Sequence, residues 1–387
     1  MATLTTIQDK LQGIAWALNL FTLGNSIVGV FIPLIVLQSG GSLTLITLFY
    51  LVYAGSKLCM NYGAMKLIQA HGAHIGLGIG FLFGALQFLT IAAYSSQDSV
   101  WLLLIGALCL AVTNSFVWNA QHSFIAQVVE HSTKSSNLAK IEIVGKLFSI
   151  VGPLVGGIIG SLLGTPWLLT SAILVVLSTF APLRHMRTIA KSQAPQIVRY
   201  NLSGAPRNDL VANFCFNVET TVSMMFWPIY LAVVIGNFHS IGIIATVGAL
   251  AAAGAAWIAG WRGDRQKDRS VLRQGTVMIS VVNLMRIFAQ TPLTIGVVGA
   301  LYQSSLAYLQ NAWVSTYYHH AKYKGAQYIV SMEIACDAAY VFVWGILLAL
   351  TLAVPDLRTL FIAAFGIAAL AGLGCLLISK QGTLTQD

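Results

Sequence analysis

Long apolar runs separated by short polar gaps dominate this chain. Crossing the hydrocarbon core of a bilayer takes about 20 consecutive, mostly apolar residues. Twelve runs of suitable length can be drawn, at 12–37, 43–68, 74–94, 99–126, 137–163, 166–183, 209–236, 239–261, 274–291, 293–317, 326–353 and 357–379. The pattern predicts an all-α integral membrane protein with twelve transmembrane helices, the tenth the most polar. Some gaps are very short, as at Ser39–Ser42 and Gly236–His239. The longest, Arg184 to Arg207, holds five cations and no acidic residue, and Pro195 and Pro206 discourage a continuous helix through it.

Composition sharpens the membrane assignment. The chain is 57% apolar and 9% charged, against roughly 25% charged in an ordinary soluble domain. Fifteen of its 21 Lys and Arg residues fall in every second gap, and Lys66 and Lys140 lie in run ends beside such gaps; Arg358 borders one of the other gaps, and Lys57, Lys146 and Arg286 lie within runs. Basic loops stay on the cytoplasmic side during insertion. The sorting therefore predicts a multi-pass protein of the cytoplasmic membrane with both termini cytoplasmic. The net charge of +9 is spread over short loops and forms no stripe, so a nucleic-acid partner is not expected. The first run carries no small-residue cleavage site and reads as a retained helix. Five scattered cysteines without a Cys-x-x-Cys pair suit neither a disulfide framework nor a metal site. Phosphate-binding loops, nucleophile elbows and paired-His motifs are missing, so neither an enzyme nor a nucleotide-driven pump is expected, and no cofactor.

An internal repeat divides the chain. Glu142-Ile143-Val144-Gly145-Lys146 in the fifth run matches Glu333-Ile334-Ala335-Cys336-Asp337 in the eleventh, 191 residues later. The expected organisation is an N-terminal six-helix bundle over 1–183, a cytoplasmic linker over 184–208 and a C-terminal six-helix bundle over 209–387. Parallel repeats of this kind form transporters with the substrate site between the halves.

Two motifs carry a family resemblance. Gly260-Trp261-Arg262-Gly263-Asp264-Arg265-Gln266-Lys267-Asp268-Arg269 resembles the Gly-x-x-x-Asp-Arg-x-x-x-Arg signature of the major facilitator superfamily, with Gly260, Asp264, Arg265 and Arg269 in the matching places. The corresponding first-half loop, Gly63 to His74, keeps the glycine but lacks the Asp and Arg residues. Gly152-Pro153-Leu154-Val155-Gly156-Gly157 resembles the Gly-Pro-x-x-Gly-Gly motif of that superfamily's proton-driven exporters. On the residues alone, Gly152, Gly156 and Gly160 share a helical face that permits close helix approach, and Pro153 can bend the helix.

Ionisable residues inside spans are costly and are functional candidates by default. Glu142 and Lys146, four apart, can pair locally. Lys57 requires an acid from another helix or an anionic ligand. Glu333 and Asp337 place two carboxylates on one face, a proton site or half of a gating ion pair with Lys57 or Lys146. Glu219 follows Asn213 and Asn217 in the seventh run. The resemblance implies that the first, fourth, seventh and tenth helices line a cavity, which makes Glu219 the first choice for a titrating group there. It also makes the ninth helix peripheral, so Arg286 is expected to be structural or to snorkel. Asn25, Asn114, Trp118, His122, Asn217, Tyr308, Asn311 and Trp313 are the candidate cavity lining, suited to an amphipathic organic molecule.

The expected function is secondary active transport of a small organic solute by alternating access, proton-coupled and outward, by a monomer. Export rests on Gly152–Gly157, although the fourth run lacks the Arg that such exporters usually carry. The alternatives are uptake of a polar or anionic metabolite with Lys57 as its partner, flipping of an amphipathic lipid, and a transporter-like receptor without net transport.

Overall fold

The computed structural model describes the backbone of residues 2–131, 135–184, 200–263, 268–354 and 356–379. It describes the side chains of 13–121, 144–184, 200–259 and 269–379, apart from 318, 326 and 355. Among the described residues there are helices and turns and no strands.

Among the described residues, twelve helical runs follow one another. The first is α1 (Ala2–Val28), a 3₁₀ turn (Gly29–Phe31) and α2 (Ile32–Gln38). Then come α3 (Leu43–His71), α4 (Ala73–Gln97), α5 (Val100–His131), α6 (Ser135–Leu162), and α7 (Thr165–Ser178) continued by α8 (Phe180–Arg184). The seventh run is α9 (Arg207–Thr220), a π-helical turn (Thr221–Phe226) and α10 (Trp227–Val234). The last five are α11 (Phe238–Gly263), α12 (Asp268–Arg286), α13 (Pro292–Lys324), α14 (Ala326–Ala353) and α15 (Leu357–Gly374), the last ending in a 3₁₀ turn, Cys375–Leu377.

Nine of these runs, among the described residues, are long and apolar enough to cross a membrane. The other three are the interrupted seventh run, α12 and α13. In α12 the pattern of a soluble helix is inverted. Thr276, Ser280, Asn283 and Arg286 are buried, while Val277, Met278, Val281, Leu284 and Met285 are exposed. In hydrocarbon the apolar stripe faces the solvent and polar groups must find partners inside.

Local chemistry sets the helix ends. Ser42 accepts from the Leu45 amide to start α3. Thr291 and Thr294 form a reciprocal capping box at α13, with Pro292 in the first turn. Gly72 and Gly325 end α3 and α13 at φ 96° and 73°, a left-handed region that glycine enters without steric cost.

The chain divides into two compact units: Met1–Pro195 with Asn237–Gly242, and Gln196–Gly236 with Ile243–Asp387. In the first, α1 packs on α6 and α7, α4 on α5 and α7, and α3 on α5. In the second, α9 packs on α14 and α15, and α12 on α13 and α15. Counted by run, the pairs one–five, one–six, three–four and three–six recur six runs later. The repeat glimpsed in one pentapeptide thus extends to the packing pattern. Of the expected 184–208 linker, 185–199 lie outside the described residues. Its far end is docked on α14: the Gly204 amide donates to the Ser331 hydroxyl at 3.0 Å, and that hydroxyl lies 2.9 Å from the Asn201 carbonyl.

Candidate functional site

The densest buried polar cluster in the second unit gathers around Glu219. This carboxyl is 1% exposed. Its Oε1 accepts from the Ser223 hydroxyl and from Asn283 Nδ2, each at 2.8 Å, and its Oε2 from the Tyr302 hydroxyl at 3.3 Å. Asn283 Oδ1 accepts in turn from Ser223 at 3.0 Å and from Arg286 Nη1 at 3.1 Å. Asn283 therefore stands between the acid and the cation, bonded to both.

Arg286 is also 1% exposed. Its guanidinium carbon lies 3.8 Å from the centre of the Tyr302 ring and 4.3 Å from that of Trp227. Nε and Nη2 have no hydrogen-bond partner; aromatic faces meet this charge, an attraction that grows on desolvation. Of the two roles expected for Arg286, structural or snorkelling, its burial fits the structural one. Its position in the middle of an apolar run gave no hint of the polar stripe, spaced three and four residues apart, that turns it inward.

Three elements build the cluster. Glu219 and Ser223 are one turn apart on the seventh run, Asn283 and Arg286 one turn apart on α12, and Tyr302 reaches in from α13. The π-helical turn Thr221–Phe226 begins between Glu219 and Ser223 and contains Ser223. Such turns are frequent at functional sites because they re-aim side chains within an otherwise regular helix. Gly372 of α15 closes the side: a Cβ there would meet the Ser280 hydroxyl at 2.7 Å and Glu219 Cγ at 3.6 Å.

Glu219 and the pair Asn213 and Asn217 meet different helices. Two residues along a helix turn a side chain by about 200°. Asn213 and Asn217 face α14: Asn213 donates to the Met332 carbonyl at 2.7 Å, and Asn217 Oδ1 lies 3.0 Å from Cys336 Sγ. Asn217 is buried within the second unit. Glu219 likewise is enclosed by side chains rather than lining an open wall.

The remaining candidates scatter. Tyr308 is buried and donates to Gln274 Oε1 at 2.9 Å. Trp313 is buried and stacked on Phe216, with ring centres 4.6 Å apart. Asn311 is exposed and reaches the Ala256 carbonyl. In the first unit, Asn25 and Asn114 are half-buried and bond carbonyls of their own helices, Phe21 and Leu110. Trp118 is exposed and Lys57 buried. Near Lys57, Asn61 and Asn119 join α3 to α5 at 3.3 Å. Lys146 is exposed, Glu333 half-buried and Asp337 fully buried. The side chains of His122 and Glu142 lie outside the described residues, as do those of Gly260, Asp264 and Arg265; Arg269 is exposed at the start of α12.

The glycine motif has a clear packing role. A Cβ on Gly152 would overlap Ser26, and one on Gly156 the Ile27 carbonyl. The backbones of α6 and α1 thus touch along this face, with Pro153 inside the helix and Gly157 also buried. No group of three metal-ligating side chains occurs among the described residues.

Comparison with known proteins fits this architecture. Residues 14–199 match the model of the Major Facilitator Superfamily. A bacterial homologue of the iron transporter ferroportin, in an inward-facing state, superposes with a TM-score of 0.70 at 13% identity, covering 98% of this chain and 99% of the other. A point mutant of the nucleoside transporter NupG gives 0.73 at 13% identity, with 96% and 100% covered. A point mutant of the E. coli fucose:proton symporter FucP gives 0.65 at 13% identity, with 98% of each chain covered. Curated protein sequences gave no match. The family match thus spans slightly under half of the chain, the fold of these solved structures extends over nearly all of it, and its long apolar helices mark a multi-pass membrane protein.

Proposed function

We propose that this protein moves a small organic solute across the bacterial cytoplasmic membrane by alternating access, driven by protons, with both termini cytoplasmic. Glu219 is the coupling carboxylate. The observation that carries this is the Glu219–Asn283–Arg286 cluster, an ionisable acid enclosed in the second unit beside a cation it does not directly touch. A carboxylate held this way accepts and releases a proton at the expense of one neighbouring contact set, and intramembrane acids are commonly used so. Asp337, also buried within a span, is a second candidate for the same work. Outward transport is favoured by Gly152, Pro153, Gly156 and Gly157, which resemble an exporter motif; Gly152 and Gly156 hold α6 against α1. The similar structures are a homologue of an iron transporter, a nucleoside transporter and a fucose:proton symporter, so the fold does not narrow the solute.

The test begins with a thermal-shift screen of organic solutes on purified protein. A solute that raises the melting temperature is then followed in proteoliposomes under an imposed pH gradient. Wild-type protein is expected to accumulate it with the gradient, and Glu219→Gln to retain exchange but lose the pH dependence. Undiminished pH-driven flux in Glu219→Gln refutes the assignment.

A further inference from the structure

A second buried cluster lies at the start of the seventh run, ten residues or about 15 Å along the helix from Glu219. Asp209, in the first turn of α9, is fully buried. Its Oδ2 accepts from His320 Nδ1 at 2.9 Å and from the Tyr328 hydroxyl at 3.0 Å, and its Oδ1 accepts from the Ser379 backbone amide at 2.8 Å. His320 and Tyr328 are fully buried too. One carboxylate thus gathers the start of α9, the end of α13, the start of α14 and the segment that follows the 3₁₀ turn after α15. Cys375 and Ile378 are buried on the way to it.

We propose that this tail is a strap latched by Asp209, and that releasing it loosens the ends of the seventh, tenth and eleventh helices together. Tyr328 packs with Ala321 and Met332, beside Ala205, Leu210, Tyr317 and Ile329. An apolar side chain in place of Asp209 would serve such surroundings at lower desolvation cost, so the charge is better explained by a switching role than by stability. The latch has discrete states because its acceptor is shared. Hydrogen bonds to an ionised oxygen are the strong ones, and when one donor leaves, the carboxylate is open to water and its grip on the other two weakens. The tail's donors come from one residue, the amide and the hydroxyl of Ser379, so closure depends on where the chain places that residue. The inference is independent of which ion or solute is moved.

Ser379→Pro isolates the strap. It deletes both the amide and the hydroxyl that reach Asp209 and leaves His320 and Tyr328 in place. Ile378 lies at φ −55°, ψ 136°, a conformation suited to the residue before proline. Hydrogen exchange by mass spectrometry would be read on the full-length protein in detergent, in the tail peptide from Cys375 and in the segment Tyr328–Met332. In Ser379→Pro the tail is expected to exchange roughly tenfold faster or more, as for loss of a bond to a charged acceptor, with a smaller rise in Tyr328–Met332. Asp209→Asn is expected to raise both. Unchanged exchange of Tyr328–Met332 in Ser379→Pro would make the tail a passenger, and unchanged tail exchange in Asp209→Asn would remove the latch; either result overturns the proposal.

Discussion

Replacing Arg286 and Glu219 separately and together measures whether they act as one unit. Arg286→Met removes the bond to Asn283 and the cation–π contacts with Trp227, Tyr302 and Phe365, and it leaves Glu219 buried without its cation. Breaking a buried pair from one side costs about 3–5 kcal/mol, because the surviving charge is uncompensated. Glu219→Gln keeps the shape but strands the Arg286 charge among Trp227, Tyr302 and Asn283, so a loss at the low end of that range is expected. In the double variant no charge remains, and apolar or neutral replacement of a buried pair is often close to neutral. The double loss should therefore fall short of the summed single losses by about 2–3 kcal/mol, the upper part of the range seen for residues in one network. Asn283 lies between them, so the interaction passes partly through its amide, which keeps the expected value below that of a direct bidentate pair. The measurement is reversible denaturant unfolding in mixed micelles for wild type, both single variants and the double variant. Additivity within about 0.5 kcal/mol would mean that the two charges do not sense each other, and the cluster could not serve as a coupling unit.

Other consequences are narrower. Tyr302→Phe removes a hydroxyl 3.3 Å from Glu219 Oε2 and should cost about 1 kcal/mol in the same unfolding assay. Gly156→Ala forces a Cβ onto the Ile27 carbonyl; a loss of about 1–3 kcal/mol, the usual range for overpacking, is expected, or failure to fold. Thr291→Ala breaks the capping box of α13 and should destabilise by about 0.5–2 kcal/mol, with faster hydrogen exchange confined to the first turn. Asp356 caps α15, and the Thr359 hydroxyl and amide with the Arg358 amide hold its carboxyl below the ordinary carboxylate range. A depressed carboxylate supports the fold above its unfolded-state value and loses that support as pH falls through the folded one. Exchange in the first turn of α15 should therefore quicken on acidification relative to distant helices, and Asp356→Asn, a cap without a charge, should remove that dependence.

The amino-acid order by itself determined the membrane class, the helical runs and the twofold organisation. Those properties are one-dimensional: span length follows from hydrocarbon thickness, and the expected orientation from which gaps hold cations. The glycine spacing in α6 was legible for the same reason, since residues four apart share a face without any knowledge of the partner helix. Charge in the ninth run was visible too, but its meaning was not, because a lone arginine in an apolar stretch reads equally as a snorkelling side chain. Only the tertiary structure decided that Arg286 turns inward, that Glu219 and Asn217 face different helices, and that Tyr308 meets Gln274 and Trp313 stacks on Phe216. The partners of Glu219 lie up to 83 residues away and those of Asp209 up to 170. Periodicity assigns a residue to a face of its own helix. Which distant side chain meets that face is set by how the helices pack, and buried polar groups find their partners only there.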